Sequence, residues 1–397
     1  MRRTPPGTPS TGEVFELIRD GAADTRAGLG RLTGLSRTAV TLRVEQLLAA
    51  GLVRERADGG STGGRPPARL EFDAGGGAVL AAALGGSRAQ VAVCDLAAGV
   101  RAERGLTVDL GDGADVVLRT VAEELARLMA DEGCPADRVW GIGASIPGAV
   151  DVATGRTVTP PVLPGWGDVP VTDYFSRHFA APVVVDNDVN ALALAEQRRH
   201  RDATDLLFVK ASTGIGAGVI SGGGLRRGAL GAAGEIGHIK VSGAEGITCR
   251  CGDSGCLEAG ASGWALAREL TALGYRISDT RDVAELVRAG DPDATRLVRE
   301  AGRLLGDVLA GAVNLLNPGL IVLGGDLAHA HEPLLAGARE MIYRRSTAMA
   351  TRGLSIEPSV QDDRAGITAS AVMALEAVLS PRAVDAVIAR HGAAAGS

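Results

Sequence analysis

Four side chains that bind zinc well lie close together in the second half of the sequence. The segment Cys249-Arg-Cys251-Gly-Asp-Ser-Gly-Cys256 has the spacing Cys-x-Cys-x4-Cys, and His238 precedes it by eleven residues. Three thiolates and one imidazole form a structural zinc site, and the glycines permit the tight turns that aim three sulfur atoms at one ion. The alternative is a loop of reduced cysteines without metal.

Two carboxylates border this cluster. Glu235 lies three residues before His238, and Glu258 lies two residues after Cys256. A folded zinc loop would hold both carboxylates near the imidazole. Without such a loop, they would be solvated surface charges.

A polar segment, Asp186-Asn187-Asp188-Val189-Asn190, follows an apolar strand and opens a helix. Open α/β sheets bind ligands at the carboxyl ends of their strands. There Asp188 can accept a hydroxyl proton while Asn187 hydrogen-bonds neighbouring hydroxyls. The simpler interpretation is that Asp188 is only the N-cap of the helix.

Three glycine turns follow apolar strands, and glycine lets backbone amides approach a phosphate closely. A single turn of this kind is also typical of a hairpin. Three of them at strand ends in one chain favour a nucleotide-binding cleft. The turn residues are Gly85, Gly86, Thr213, Gly214, Gly216, Gly324 and Gly325.

The first 73 residues carry the pattern of a DNA-reading head. Val40, Val44 and Leu47 form one apolar stripe on a helix that Ser36 caps, and the opposite side is polar. Such a helix contacts base edges and phosphates in a major groove. A hairpin with a flexible tip follows it. The candidate DNA contacts are Ser36, Arg37, Thr38, Thr41, Arg43 and, at the hairpin tip, Arg65. The alternative is a three-helix protein-interaction or dimerisation module.

Composition agrees with a small head on a larger body. The 397 residues predict two or three domains, and the net charge of −6 divides into +2 for residues 1–73 and −8 for the rest. Five cysteines, an odd number, indicate cytosolic thiols, and the charged N-terminal segment excludes a secretory signal. The longest uncharged run, 308–325, contains Asn314, Asn317 and Pro318, which predicts a buried helix-turn-strand and no membrane span. We expect a cytoplasmic protein.

From Ala78 onward, short apolar strands alternate with helices, which predicts an α/β body. The predicted strands are 79–84, 90–94, 139–144, 183–185, 206–209, 218–220 and 320–323. The predicted helices are 116–130, 173–178, 189–200, 264–273, 294–317 and 334–345.

The motifs from Thr213-Gly-Ile-Gly-Ala-Gly through Gly-Glu-Ile-Gly-His238 to the cysteine box ending at Glu258 resemble the ROK family (repressors, open reading frames and kinases). The resemblance implies an α/β actin-like ATPase fold of the sugar kinase type, with two lobes and a sugar between them, preceded by an α+β winged helix-turn-helix domain. The implied divisions are a DNA-binding domain 1–73, a first lobe 78–187, a second lobe 188–380 with the zinc loop, and a C-terminal tail 381–397. The implied sugar ligands are Asn187, Asp188, Glu235, His238 and Glu258, and the implied ligands of a structural zinc ion are His238, Cys249, Cys251 and Cys256.

Two departures from the family pattern bear on activity. Kinases of the family begin with Asp-x-Gly-Gly-Thr, whose Asp manages magnesium and the ATP phosphates, and this chain has Ala83 in that place. Because phosphoryl transfer depends on metal neutralisation of the phosphates, we expect no enzyme activity, a vestigial base at Asp188 and vestigial nucleotide loops. Val162 replaces an Asn that commonly supplies a sugar hydrogen bond.

The sequence therefore favours a sugar-responsive transcriptional regulator, expected to repress carbohydrate metabolism genes. Its expected partners are operator double-stranded DNA, a sugar or sugar-phosphate effector, and further copies of itself in a dimer or tetramer. One alternative is an ATP-dependent sugar kinase with an accessory head. Another is a DNA-binding regulator with a vestigial sugar site that responds to a protein partner.

Overall fold

The head consists of three helices and a two-stranded wing, as its apolar periodicity predicts. The computed structural model describes residues 8–56, 68–85, 88–158, 165–330, 332–360 and 364–394. The elements of the head are α1 (Thr11–Arg19), α2 (Arg26–Thr33), α3 (Arg37–Ala49), β1 (Val53–Arg56) and β2 (Arg69–Phe72). The predicted stripe of α3 is buried, and Ser36 accepts a hydrogen bond from the amide of Ala39 at 3.3 Å. The hairpin tip with Arg65 lies outside the described residues.

The first lobe contains a five-stranded sheet in the order β5-β4-β3-β6-β9. Strands β3, β6 and β9 are parallel, which places their carboxyl ends at one edge of the sheet. Its elements, with a small hairpin β7-β8, are β3 (Ala78–Leu84), β4 (Arg88–Cys94), β5 (Val100–Thr107), α4 (Ala114–Asp131), β6 (Val139–Ile146), β7 (Val150–Asp151), β8 (Arg156–Thr157), α5 (Val171–His178) and β9 (Val183–Asn187).

The second lobe contains a sheet in the order β12-β11-β10-β13-β14, and β10 pairs with β13 in parallel. Its strands are β10 (Leu206–Ala211), β11 (Ile215–Ser221), β12 (Gly224–Arg226), β13 (Leu320–Gly324) and β14 (Ser355–Pro358). Its helices are α6 (Asp188–Arg199), α7 (Leu257–Ala261), α8 (Gly263–Ala272), α9 (Thr280–Arg288), α10 (Pro292–Leu316), α11 (Glu332–Arg345) and α12 (Ala348–Thr351). Among the described helices, none has both the length and the apolar character needed to cross a bilayer. The run 308–325 is the predicted helix-turn-strand, with Asn317 in the left-handed region at its turn.

The chain returns to the first lobe after β14. The predicted second lobe, residues 188–380, therefore includes a helix that packs on the first lobe. Helix α13 (Ala365–Val378) packs against β3 and β6 of the first sheet and also against α6. Gly143 permits this close approach because a Cβ there would lie 1.9 Å from the carbonyl oxygen of Ser370. One helix therefore contacts elements of both lobes.

The segment predicted as a C-terminal tail begins with helix α14 (Pro381–Ala394), which lies against α1 of the head. Val384 and Ile388, one helical turn apart, are buried in the core of the head. The Asp385 carboxylate accepts a hydrogen bond from the amide of Gly12 at 2.8 Å. The C-terminal helix is therefore a structural part of the head.

Glycine at position 12 is required for this docking, and Gly12→Ala tests it. A Cβ at Gly12 would lie 2.0 Å from the carbonyl oxygen of Pro381, so the substitution should destabilise the head by about 1–3 kcal/mol. Gly30→Ala is the matched control, since the nearest atom to its added Cβ lies at 3.7 Å. The control should stabilise α2 by about 1 kcal/mol. Thermal unfolding followed by circular dichroism measures both, and equal melting temperatures for the two variants would contradict the docking.

Candidate functional site

A cleft of about 830 Å³ lies between the two lobes and collects the predicted motifs. The five predicted sugar ligands and the glycine turns that follow β3, β10 and β13 line its walls. Gly86 and Val162 lie outside the described residues. The described turn residues at the cleft are Gly85, Thr213, Gly214, Gly216, Gly324 and Gly325.

Asn187, and not Asp188, is the N-cap of α6. The Asn187 Oδ1 accepts hydrogen bonds from the amides of Val189 and Asn190 at 2.8 and 3.2 Å. Its Nδ2 donates to the carbonyl of Gly148 at 2.9 Å. The simpler sequence interpretation of Asp188 as the cap is therefore wrong. The side chain of Asn187 instead fixes the start of the helix. The Asp188 carboxylate is therefore available to other partners.

The Asp188 carboxylate forms an ion pair with Lys210, which sequence reasoning missed. The Lys210 Nζ lies 2.5 Å from Asp188 Oδ2, and both side chains are mostly buried. Burial lowers the pKa of Lys210, but the charge and hydrogen bond of Asp188 and the charge of Asp326 outweigh it, so that the pKa is raised. One signal was available in the sequence, because Lys210 and Lys240 are the only lysines among 41 cationic residues.

Glu258 is buried in the cleft wall and held from two sides. Its Oε2 accepts a hydrogen bond from the amide of Ile215 at 3.1 Å, and Arg250 donates to Oε1 at 3.2 Å. Gly214 allows the carboxylate this position, since a Cβ there would lie 2.6 Å from Glu258 Oε2. The guanidinium of Arg250 in turn lies over the ring of Trp264.

Glu235 and His238 face each other at the opening of the cleft. Their side chains approach to 4.0 Å between Oε2 and Nε2. Desolvation raises the pKa of Glu235; His238 lowers it, and the charges of Asp188 and Glu258 raise it further. The carboxylates of Asp188, Glu235 and Glu258 are suited to accept hydrogen bonds from the hydroxyl groups of a sugar.

The second imidazole nitrogen of His238 points to the cysteines. His238 Nδ1 lies 3.8 Å from the Sγ of Cys249, and the Sγ atoms of Cys251 and Cys256 are 3.8 Å apart. All four ligand atoms lie within 4.8 Å of one another. Ligands at about 2.3 Å from a tetrahedral zinc ion are separated by about 3.8 Å, so the cluster has the size of such a site.

The glycine turn that follows β13 leads into a further carboxylate of the cleft, the half-buried Asp326. Asp326 accepts hydrogen bonds from the Ser212 hydroxyl and from Arg281, whose Nε lies at 3.3 Å. Burial raises the pKa of Asp326, but these hydrogen bonds and the charges of Arg281 and Lys210 hold it below the usual value. Ala83 lines the cleft opposite, without a carboxylate of its own.

The predicted DNA-contacting residues of α3 divide into two groups. Ser36, Arg37 and Thr38 are exposed, and Thr41 is half-buried. Arg43 forms the second group. Its guanidinium donates a hydrogen bond to the carbonyl oxygen of Pro9 at 2.8 Å and so fixes the segment before α1.

Fold and site together define a two-lobed α/β protein of the sugar-kinase type joined to a winged helix-turn-helix head. The chain belongs to the ROK family, whose family model matches residues 79–377. The actin-like two-lobed fold and the family expected from the sequence are thereby confirmed.

Relatives of this chain include both regulators and kinases. It is 27% identical to the xylose repressor of Caldicellulosiruptor bescii over 92% of this chain and 95% of the relative. The crystal structure of a ROK family transcriptional regulator, described as a homolog of E. coli MLC protein, superposes with a TM-score of 0.82 and 25% identity over 95% of this chain and 98% of the other. The crystal structure of the ROK hexokinase from Thermus thermophilus matches 76% of this chain and 99% of its own, with 33% identity and a TM-score of 0.61.

Removal of one cysteine side chain tests the candidate metal site. We expect Cys251→Ala to lose metal and stability together, since a closed thiolate-rich site contributes folding energy. Cys134→Ala is the control, because Cys134 is not part of the cluster. Metal analysis and thermal unfolding of both purified proteins provide the measurement. Unchanged metal content and melting temperature in Cys251→Ala would count against the site.

Proposed function

We propose that this protein is a sugar-responsive transcriptional repressor, in which the head binds operator DNA and the cleft binds a sugar without catalysis. The observation that carries the proposal is the extent of the similarity. The regulators match head and body together, over 92% and 95% of this chain. The hexokinase structure matches 76% of it.

Exposed residues at the start of α3 support the DNA-binding part of the proposal. Arg37 and Thr38 stand in the first turn of the helix, the part that meets base edges in helix-turn-helix complexes. Leu42 is also exposed, with a relative accessibility of 55%, on the outer side of α3. A leucine there provides apolar contact of the kind that thymine methyl groups accept.

The carboxylates of the cleft support the sugar-binding part. Asp188 approaches from the first turn of α6, while Glu235 and Glu258 lie at the two ends of the loop that carries the cysteines and histidine, Glu258 in the first turn of α7. We propose that this loop binds a structural zinc ion through His238 Nδ1, so that the imidazole Nε2 faces the sugar. Zinc supplies folding energy there and takes no part in a reaction.

Loss of the kinase machinery is the third part of the proposal. Ala83 provides no carboxylate to manage a metal, and the candidate base Asp188 is paired with Lys210 at 2.5 Å. The ammonium group of Lys210 occupies the carboxylate that would have to accept the hydroxyl proton, and without metal the phosphates of ATP stay unneutralised. The runner-up function, a sugar kinase, is favoured only by the shared cleft and by the hexokinase likeness.

A kinase assay separates the two functions. We expect turnover far below the usual enzyme range of about 1–10³ s⁻¹ with ATP, magnesium and xylose, glucose or N-acetylglucosamine. Ala83→Asp, which returns the missing carboxylate, should raise the rate. Turnover within that range by the unaltered protein would refute the non-catalytic cleft.

Operator binding tests the head. One recognition helix reads few base pairs, so we expect a symmetric dimer on an inverted repeat selected from genomic fragments. Arg37→Ala should weaken binding and flatten the log–log salt slope by about one per lost phosphate contact. Arg288→Ala, on the exposed end of α9 in the body, is the matched control. Equal affinities for both variants would exclude α3 as the DNA reader.

A further inference from the structure

The cleft contains several cationic side chains, and each of those described is already paired with a carboxylate. The pairs are Lys210 with Asp188 at 2.5 Å, Arg250 with Glu258 at 3.2 Å, Arg281 with Asp326 at 3.3 Å and Arg88 with Asp279 at 3.9 Å. Three of them are close contacts, and the fourth joins the two lobes across the cleft. Body residues outside the described ranges, namely 86–87, 159–164, 331 and 361–363, contain neither lysine nor arginine.

Helix N-termini are the other common receptors for phosphate, because their amides point outward with partial positive charge. Three N-termini of longer helices face this cleft, and those of α6 and α9 are capped internally. The third, at α13, lines the cleft with Ala365 and Gly366 and has no side-chain cap among the described residues. At α6 the first amides donate to Asn187 Oδ1. At α9 the amide of Arg281 donates to Asp279 Oδ1 at 3.3 Å, and Asp282 completes a capping box. A carboxylate therefore already stands where an anion would bind α9.

Carboxylates also outnumber the cations among the described residues of the lining. Five acidic side chains face four lysine and arginine side chains, and Glu235 is the acid without such a partner. A phosphate monoester carries about −1.5 to −2 charges at neutral pH. Where the sugar-binding carboxylates lie, away from the start of α13, it would have to displace a carboxylate from its cation or lie against unpaired negative charge.

We propose that the effector is a neutral, unphosphorylated sugar and that the paired charges of the cleft exclude sugar phosphates. This inference rests on the proposed function and names the class of its ligand. Sugar hydroxyls donate hydrogen bonds to carboxylates and accept them from Lys210 or Arg250 without breaking the ion pairs. Discrimination comes from a repulsive arrangement against the phosphate ester as much as from attraction to the sugar.

Matched pairs of ligands test the inference. Isothermal titration calorimetry on the full-length, metal-loaded protein compares xylose, glucose, mannose, galactose and N-acetylglucosamine, each with its terminal phosphate ester. The sugar that binds most tightly should bind at least tenfold more tightly than its own phosphate. A phosphate ester that binds as tightly as its parent sugar, or more so, would overturn the inference and leave the sugar-responsive function intact. Failure of every member of both series to bind would contradict the proposed function itself, and the inference with it.

A charge-neutralising variant tests the mechanism of exclusion. Asp326→Asn releases Arg281 from this carboxylate and should reduce the preference for the neutral sugar at least threefold. Asp131→Asn is the control, since Asp131 pairs with Arg104 at 3.2 Å on the exposed end of α4. If Asp326→Asn impairs folding, Asp279→Asn provides the same test, because it releases Arg88 from the Asp279 carboxylate. An unchanged preference in both cleft variants, with neutral-sugar binding retained, would refute exclusion by paired charges.

Discussion

The packing of α13 on the first sheet connects the cleft with the head. Because Gly143 has no side chain, the helix backbone lies directly on β6, and the Ser370 hydroxyl lies 2.9 Å from that of Ser145 and 3.0 Å from the carbonyl of Ala82. Gly366 at one end of α13 lines the cleft. Beyond its other end, Arg19 of α1 donates to the carbonyl of Leu379 at 3.2 Å, and α14 completes the head. Packed helices move as units, so a change in lobe arrangement has a direct physical route to α1.

On the other wall of the cleft, two carboxylates border the segment that carries the Cys3His cluster. This segment runs from the loop after β12 to the start of α7, and Glu235 and Glu258 at its two ends line the cleft together with Asp188. The contacts of Asp188 with Lys210 and of Glu258 with Arg250 orient these carboxylates before any ligand enters. Such a site binds by hydrogen bonds to preorganised acceptors, and this is suited to sensing a sugar. In the same cleft, position 83 is occupied by alanine.

Much of this organisation could be predicted from the sequence. The physical reasons for this success also explain which parts could not be predicted. Apolar periodicity located most strands and helices, and the cysteine spacing identified a cluster that the structure brings together. The placement of α13 could not be read, because the helix is apolar on nearly every side and shows no preferred face. The docking of α14 depends on two apolar residues, too few to stand out from a tail. Asn187 and Asp188 are equally good N-caps, and Lys210 belongs to no motif, so only the three-dimensional contacts decide their roles.

The most direct test of the account is operator affinity measured by fluorescence anisotropy with and without the best-binding neutral sugar. Allosteric couplings are typically about 1–3 kcal/mol, so saturating sugar should weaken operator binding by roughly 5- to 150-fold. Asp188→Ala and Glu235→Ala should retain operator binding and lose this response, because they alter the cleft and leave α3 unchanged. By reciprocity, operator DNA should weaken sugar binding by the same factor. Identical operator affinities with and without a sugar that demonstrably binds would contradict the coupling of cleft and head.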